Sequence, residues 1–314
     1  MENLTMELLN AKTDKDYIEG YCLVQSYKID KTKNGDDYIN GTLMAKGSIP
    51  FKAWNNSSAF PEFKNYNYNG QVVSVVGTVN VYNGQKSIIV SNVTAINDIK
   101  AETFLEDKYD ITYYTSVLHK LIEKYCTANG VELVNKVLFN NTEVFERFKM
   151  EFAASSHHDN CKGGLIAHTV KVVNAMAYII NMYPDLVKGK DDAETSKNID
   201  LLIIGSALHD IGKIDEMNFG GYTEISRVTH RFLGIEHIME FKSWIIETFG
   251  NIWYYNLVSV FLQHHNEFDD KARTVWAYLI HKADLLDSEM TFITQLKADS
   301  DGTKIKLNGR YLEF

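Results

Sequence analysis

Histidine recurs along the second half of this chain, in several places with a carboxylate close by. The segments are GGLIAHT with His168, LHDIGK with adjacent His209 and Asp210, EHI with His237, QHHN with His264 and His265, and HKADLLD with Asp284 and Asp287. Imidazole and carboxylate suit zinc, iron, manganese and nickel, and an aspartate can also bridge two ions. Each group lies within or at the end of a segment of helical spacing. Neighbouring side chains on a helix point about 100° apart, so His209 and Asp210 reach one ion only if the helix end faces it. A single histidine on an apolar helix is more often a hydrogen-bonded core residue, and His119, His230 and His281 are read that way. The ordered series of His, His-Asp, His, His-His and Asp points to divalent-metal chemistry.

The elements that must position these residues follow from the periodicity. Apolar residues Ile111, Tyr114, Leu118, Leu121, Ile122 and Tyr125 mark a helix over 111–126. Helical patterns continue near 142–154, 163–182, 197–209, 229–249, 251–265 and 271–293, with the charged stretch 188–198 as a solvated connection. The first hundred residues read differently, as short β-rich runs with turn punctuation. QVVSVVGTVNV and KSIIVSNVTAI flank Asn83-Gly84, a strong hairpin signal. About five strands without a long helix predict a small Greek-key barrel, an OB barrel first and an SH3-like one as the alternative. The expected organisation is multidomain: an all-β barrel over 1–100, an all-α domain over 101–314 with a polar linker near Lys100–Asp110, and a C-terminal β-hairpin around Asn308-Gly309.

Composition bounds the function. The chain has 314 residues, three cysteines and a net charge of −9. The first hundred residues hold ten bases and ten acids, so all the excess acid lies in the helical part. That balance argues against a nonspecific nucleic-acid coat, although bound divalent metals would invert the local field. Three widely spaced cysteines fit a reducing, cytoplasmic setting. The N-terminal stretch has no apolar signal-peptide core, and no apolar run approaches the length of a membrane span. The expectation is a cytoplasmic protein with no membrane partner.

The order of these motifs resembles the HD phosphohydrolase superfamily. With AASSHHDNCKGGLIAHT (153–169), LLIIGSALHDIGK (201–213), LGIEHI (233–238), LQHHN (262–266) and HKADLLDSEM (281–290), it is similar to the YhaM-like 3′→5′ exoribonucleases, in which an OB-fold domain precedes the HD domain. Two positions depart from that pattern. Glu236 stands where a glycine commonly precedes the histidine, and Asn266 where one follows the histidine pair.

The resemblance implies that His168, His209, Asp210 and Asp284 hold one divalent ion. Asp210 would bridge to a second ion held by His237, His264 and His265. Manganese is the first choice, with Fe2+, Ni2+, Co2+ and Mg2+ as alternatives. Lys213 would face a phosphate oxygen or serve as a helix C-terminal cation. His157 and His158 would contact phosphate or donate a proton, with a merely structural role as the alternative, and Asp287 would orient a ligand. The implied activity is stepwise hydrolysis of single-stranded RNA, extending to single-stranded DNA, to nucleoside 5′-monophosphates, with self-association as in relatives. The rival readings are an HD enzyme for a free, cyclic or signalling nucleotide and a non-catalytic nucleic-acid or nucleotide binder.

An OB barrel binds single strands through stacked aromatics and a basic groove. The residues expected to do so are Tyr27, Lys28, Tyr38, Lys52, Trp54, Tyr82 and Lys86. The alternative is that the aromatics are core and the lysines an ordinary solvated face.

Overall fold

The computed structural model describes residues 1–155, 159–265, 271–298, 300, 303–307 and 310–313. The chain divides into two units, Met1–Lys108 with Met217–Glu224, and Tyr109–Glu216 with Ile225–Phe314.

In the first unit, helix α1 (Met6–Ala11) precedes strands β1 (Tyr17–Lys31), β2 (Asp37–Met44) and β3 (Ser48–Trp54). Helix α2 (Ala59–Asn65) and strands β4 (Val72–Tyr82) and β5 (Gln85–Ala95) follow. Alternation sets the inward face, as in β3, where Ile49, Phe51 and Ala53 are buried between outward neighbours. The 15-residue β1 closes the barrel by changing partner along its length: Tyr17–Leu23 pairs with β4 and Leu23–Lys31 with β2, with an irregularity between Val24 and Ser26. The order β1-β2-β3-β5-β4, with β3 parallel to β5, is the OB arrangement rather than the SH3-like alternative. Asn83 and Gly84 both have positive φ, 50° and 78°, as a two-residue hairpin turn requires.

The second unit is helical, with α3 (Ile111–Tyr125), α4 (Ala128–Val134), α5 (Thr142–Met150), α6 (Gly164–Met182), α7 (Asp192–Leu208) and α8 (Lys213–Glu216). They are followed by α9 (His230–Met239), α10 (Lys242–Phe249), α11 (Asn251–Gln263) and α12 (Val275–Ala298). A two-stranded hairpin, Met217–Asn218 with Gly221–Tyr222, leaves this run of helices and belongs to the barrel unit, where Asn69 Nδ2 donates to Tyr222 O at 3.0 Å. The C-terminal strands Lys304–Leu307 and Arg310–Glu313 form the expected hairpin, while its Asn308-Gly309 turn lies outside the described residues.

Several sequence expectations shift. The pattern at 229–249 breaks into α9 and α10, and α7 starts inside the supposed connection because Asp191 Oδ1 caps Glu194 N at 2.8 Å. The barrel unit runs on to Lys108 rather than ending at residue 100. Helix α6 also corrects the statement about apolar runs. At 19 residues and a mean hydropathy of 1.3 it is long and apolar enough to cross a membrane, but 61% of that stretch is buried in the fold. It is the central core helix of its unit, packed by Leu165, Ile166, Val172, Val173 and Met176.

Asp200 of α7 is fully buried and accepts from Thr127 N at 2.7 Å and Thr127 Oγ1 at 2.5 Å, fixing the start of α4. Burial raises its pKa above the usual 3.8, against the Thr127 hydrogen bonds. A raised folded-state pKa contributes stability below the unfolded value, and that contribution is lost as pH rises through the folded value. The melting temperature of Asp200→Asn, relative to wild type, should therefore move in the variant's favour as the pH rises above the ordinary carboxylate value of 3.8. A difference that stays flat or moves the other way contradicts this assignment.

Candidate metal centre

Five helices deliver the site, mostly from their ends. His209 is the C-terminal cap of α7, His264 caps α11, and His230 is the first residue of α9, while His168 and Asp284 come from within α6 and α12. A helix end lets adjacent residues such as His209 and Asp210 converge, which a regular helix would splay apart.

Asp210, 2% exposed, stands at the centre. Its Oδ2 lies 3.4 Å from His209 Nε2 and 3.6 Å from His168 Nε2, and His168 Nε2 is 3.2 Å from Asp284 Oδ1. Its Oδ1 lies 3.6 Å from both His230 Nε2 and His264 Nε2. One carboxylate thus presents one oxygen to each of two ligand groups, His168/His209/Asp210 and His230/His264/His265. Within each group the ligand atoms lie within 4.8 Å of one another.

The rings are held with Nε2 facing inward. His209 Nδ1 donates to Ser206 O at 2.9 Å, and His264 Nδ1 to Phe261 O at 3.0 Å. His168 Nδ1 donates to Asp287 Oδ2 at 2.7 Å, and His230 Nδ1 to Glu216 Oε2 at 2.8 Å. With Nδ1 protonated, the neutral ring offers its Nε2 lone pair, the usual outer support of a metal-bound imidazole. His209 Nε2, His264 Nε2 and Asp210 Oδ1 are buried with no hydrogen-bond partner among the described residues. Buried polar atoms left in this way are costly, and a cation would satisfy them together.

The electrostatics agree. Burial opposes ionisation of Asp210, but Lys213 and then His209 outweigh it and hold the carboxyl well below its ordinary range. Burial would also lower the pKa of His168, but Asp284 and Asp287 outweigh it and push it up to about 10. Asp284 and Asp287 thus favour positive charge at this point, which a cation at Nε2 would supply in place of a second ring proton. His265 is pushed down to about 4 by burial, and His264 is lowered by burial and its neighbours, so both stay neutral and able to ligate. The donor set of imidazoles and carboxylates fits a borderline or hard divalent ion.

Six of the seven expected ligands gather here, and His237 does not. Its Nε2 is 2.7 Å from Asp215 Oδ2, in a separate group with Arg147, whose Nη1 is 3.2 Å from Asp215 Oδ1. His230, read from the sequence as a core histidine, stands in the place expected of it, with Nε2 2.9 Å from His265 Nε2. The two histidines are seven residues apart on α9, nearly two full turns. They share a face but sit about 10 Å apart along the axis. Gly212 and Gly234 make this placement possible. A Cβ at Gly212 would lie 2.1 Å from His230 O and 2.4 Å from Gly234 N. Those glycines let the first turn of α9 pack directly against the chain beside Asp210. Glu216 was also missed; its Oε1 accepts from His230 N at 3.1 Å while Oε2 holds the ring.

Lys213 opens α8 rather than closing a helix, and its ammonium donates to Asp210 Oδ2 at 2.7 Å and to Ala153 O at 2.6 Å. Asp287 orients His168. His157 and His158 lie outside the described residues. His119 stacks on Phe139, and His281 Nδ1 donates to His264 O at 2.7 Å.

On the barrel, Tyr38 of β2 and Trp54 of β3 are register partners with ring centroids 5.2 Å apart, and Lys52 Nζ lies 5.6 and 5.8 Å from the two rings. A groove of about 390 Å³ is lined by Lys52, Trp54, Asn80, Tyr82, Gln85 and Lys86, among others, and Tyr82 is 72% exposed. Lys28 is solvent-exposed and paired with Asp30 at 3.2 Å. Two of the expected contacts also have structural duties. The Tyr27 hydroxyl donates to Tyr66 O at 2.6 Å and accepts from Tyr68 N at 3.3 Å. Lys86 donates to Leu9, Asn10 and Lys12 carbonyls at 3.2, 2.7 and 2.5 Å, which uses all three of its N–H groups on the end of α1.

No family model matches the chain. Among curated proteins it is 23% identical over 209 residues to the 3′-5′ exoribonuclease YhaM of Geobacillus sp. (strain WCH70), covering 65% of this chain and 59% of that one. It is 24% identical to YhaM of Listeria monocytogenes over 64% of this chain and 60% of the relative. With YhaM of Listeria innocua it shares 23% identity over 89% and 87% of the two chains. The match thus spans about three fifths of the length of the first two relatives. Among solved structures, the mitochondrial single-stranded DNA binding protein Rim1 of S. cerevisiae aligns with 28% of this chain and 100% of its own, at 13% identity and a TM-score of 0.25. The second OB-fold domain of replication protein A from Methanococcus maripaludis aligns with 31% of this chain and 89% of its own, at 22% identity and a TM-score of 0.20. By sequence, the chain is similar to the YhaM 3′-5′ exoribonucleases at 23 to 24% identity.

Proposed function

We propose that this protein is an HD-type, divalent-metal-dependent phosphodiesterase that shortens single-stranded RNA from its 3′ end, with single-stranded DNA as a second substrate. The observation that carries the proposal is the placement of Asp210, with one carboxylate oxygen toward His168 and His209 and the other toward His230 and His264. His168, His209, Asp210 and Asp284 would hold one ion. His230, His264 and His265 would hold a second, sharing Asp210, and Mn2+ is the first metal to test. Bound there, such ions would supply Lewis acidity toward a phosphodiester and toward water at neutral pH. The chain's own residues do the rest: Asp287, Glu216 and the carbonyls of Ser206 and Phe261 orient the rings, and Lys213 balances the charge of Asp210. The compartment proposed is the cytoplasm, in keeping with three free thiols of which Cys22 and Cys161 are buried.

The test is digestion of a 5′-labelled single-stranded RNA by the full chain in Mn2+ and in EDTA. A ladder shortening from the 3′ end only with metal supports the reading. Retention without cleavage favours a binding protein, and turnover of free nucleotides alone favours a small-molecule HD enzyme.

The barrel makes a separate prediction. Trp54→Ala or Tyr82→Ala should weaken binding of a short RNA about tenfold, within the range for loss of one stacked base. Lys86→Met should instead cost about 1 kcal/mol of stability through α1, with little change in affinity. Equal loss of affinity in all three would mean that the lysine also reaches the strand.

A further inference from the structure

A buried cluster lies on the Nδ1 side of the His168 ring, away from the Nε2 that faces Asp210. Asp159, Asp287 and His168 form a third set of potential ligand atoms, all within 4.8 Å of one another. A side-chain cation already occupies it. The Lys171 ammonium lies 2.6 Å from Asp159 Oδ2 and 3.1 Å from Asp287 Oδ1, and it donates to Thr291 Oγ1 at 2.9 Å. Three acceptors match the three N–H donors of a lysine. Asp159 is fully buried and Asp287 is 8% exposed, and the Tyr109 hydroxyl donates to the other oxygen of Asp159. Lys171 sits one turn from His168 on α6, and Thr291 one turn from Asp287 on α12, so the clamp ties together the two helices that carry His168 and Asp284.

We propose that Lys171 is a positioning residue of the metal centre: its ammonium fixes Asp287, which holds the His168 ring with Nε2 turned toward Asp210 and Asp284. This inference rests on the metal-dependent reading above. Without the ammonium, Asp159 and Asp287 would face each other as like charges, and Asp287 would be free to turn away from His168 Nδ1. A guanidinium is planar and cannot reproduce three donors diverging from one point, so Lys171→Arg should restore function only in part.

The experiment titrates the metal-free full chain with Mn2+ by calorimetry and follows the His168 imidazole by 15N NMR. In Lys171→Met one Mn2+ step should weaken about 10- to 100-fold, the usual effect of losing a group that orients a ligand. The other step should stay within about threefold, and the imidazole signal of His168 should shift before any metal is added. Lys171→Arg should fall between the two proteins. A folded Lys171→Met with both steps unchanged, or with both weakened alike, overturns the proposal. If that variant does not fold, Thr291→Val carries the test. It should weaken the same step by a smaller factor, and an unchanged titration overturns the proposal. A wild-type chain that takes up no Mn2+ overturns the metal reading itself, and the inference with it.

Discussion

His230→Ala should remove hydrolysis almost completely, while His237→Ala should leave it within about threefold of wild type, because the half-buried Asp215–His237 contact lies outside both groups of candidate ligands. His230 Nε2 lies 3.6 Å from Asp210 Oδ1 and 2.9 Å from His265 Nε2, whereas His237 is turned to Asp215. The alanine variant keeps the start of α9, because Glu216 Oε1 accepts from the backbone N–H of residue 230 and not from its ring. Loss of activity would therefore report loss of a ligand rather than of a helix. Calorimetry with Mn2+ should show two binding steps in wild type and in His237→Ala, and one in His230→Ala. The reverse pattern, with His237 essential and His230 dispensable, would overturn the reassignment.

Asp210→Asn should lower the rate by more than about 10³-fold, the upper end of what one electrostatic group contributes in a water-excluded site. An amide keeps the shape but offers one oxygen and an NH2 donor, so it cannot serve both groups of histidines. The same change leaves the Lys213 ammonium buried with Ala153 O as its remaining acceptor. Removing one partner of a buried pair costs about 3 kcal/mol or more, so reduced activity alone would be ambiguous. The double variant Asp210→Asn/Lys213→Met removes both charges. It should recover most of the melting temperature and none of the activity. Activity within tenfold of wild type in either variant would exclude Asp210 from the centre.

Both predictions turn on the difference between what is local in the chain and what is not. The OB barrel was legible because alternation and the Asn83-Gly84 turn are local signals, and each agrees with the closed five-stranded order. The helical unit was legible for the same reason, and His209-Asp210 pointed to the centre because adjacent ligands at a helix end are a pattern within the sequence itself. The hairpin at 217–222 was not legible. It is two residues per strand and owes its place to contacts with distant barrel residues such as Asn69 and Gly70.

The chain alone determined the types and order of the candidate ligand residues and the helices that carry them. Tertiary structure decided which histidine on α9 stands beside Asp210, since a 3.6-residue period puts His230 and His237 on one face and says nothing about height along the axis. It also decided that Lys86 caps α1, that Tyr27 braces the backbone of Tyr66 and Tyr68, and that Lys171 fills the site between Asp159 and Asp287. Periodicity shows which way a side chain faces, but its partner comes from a distant part of the chain, and only packing brings the two together.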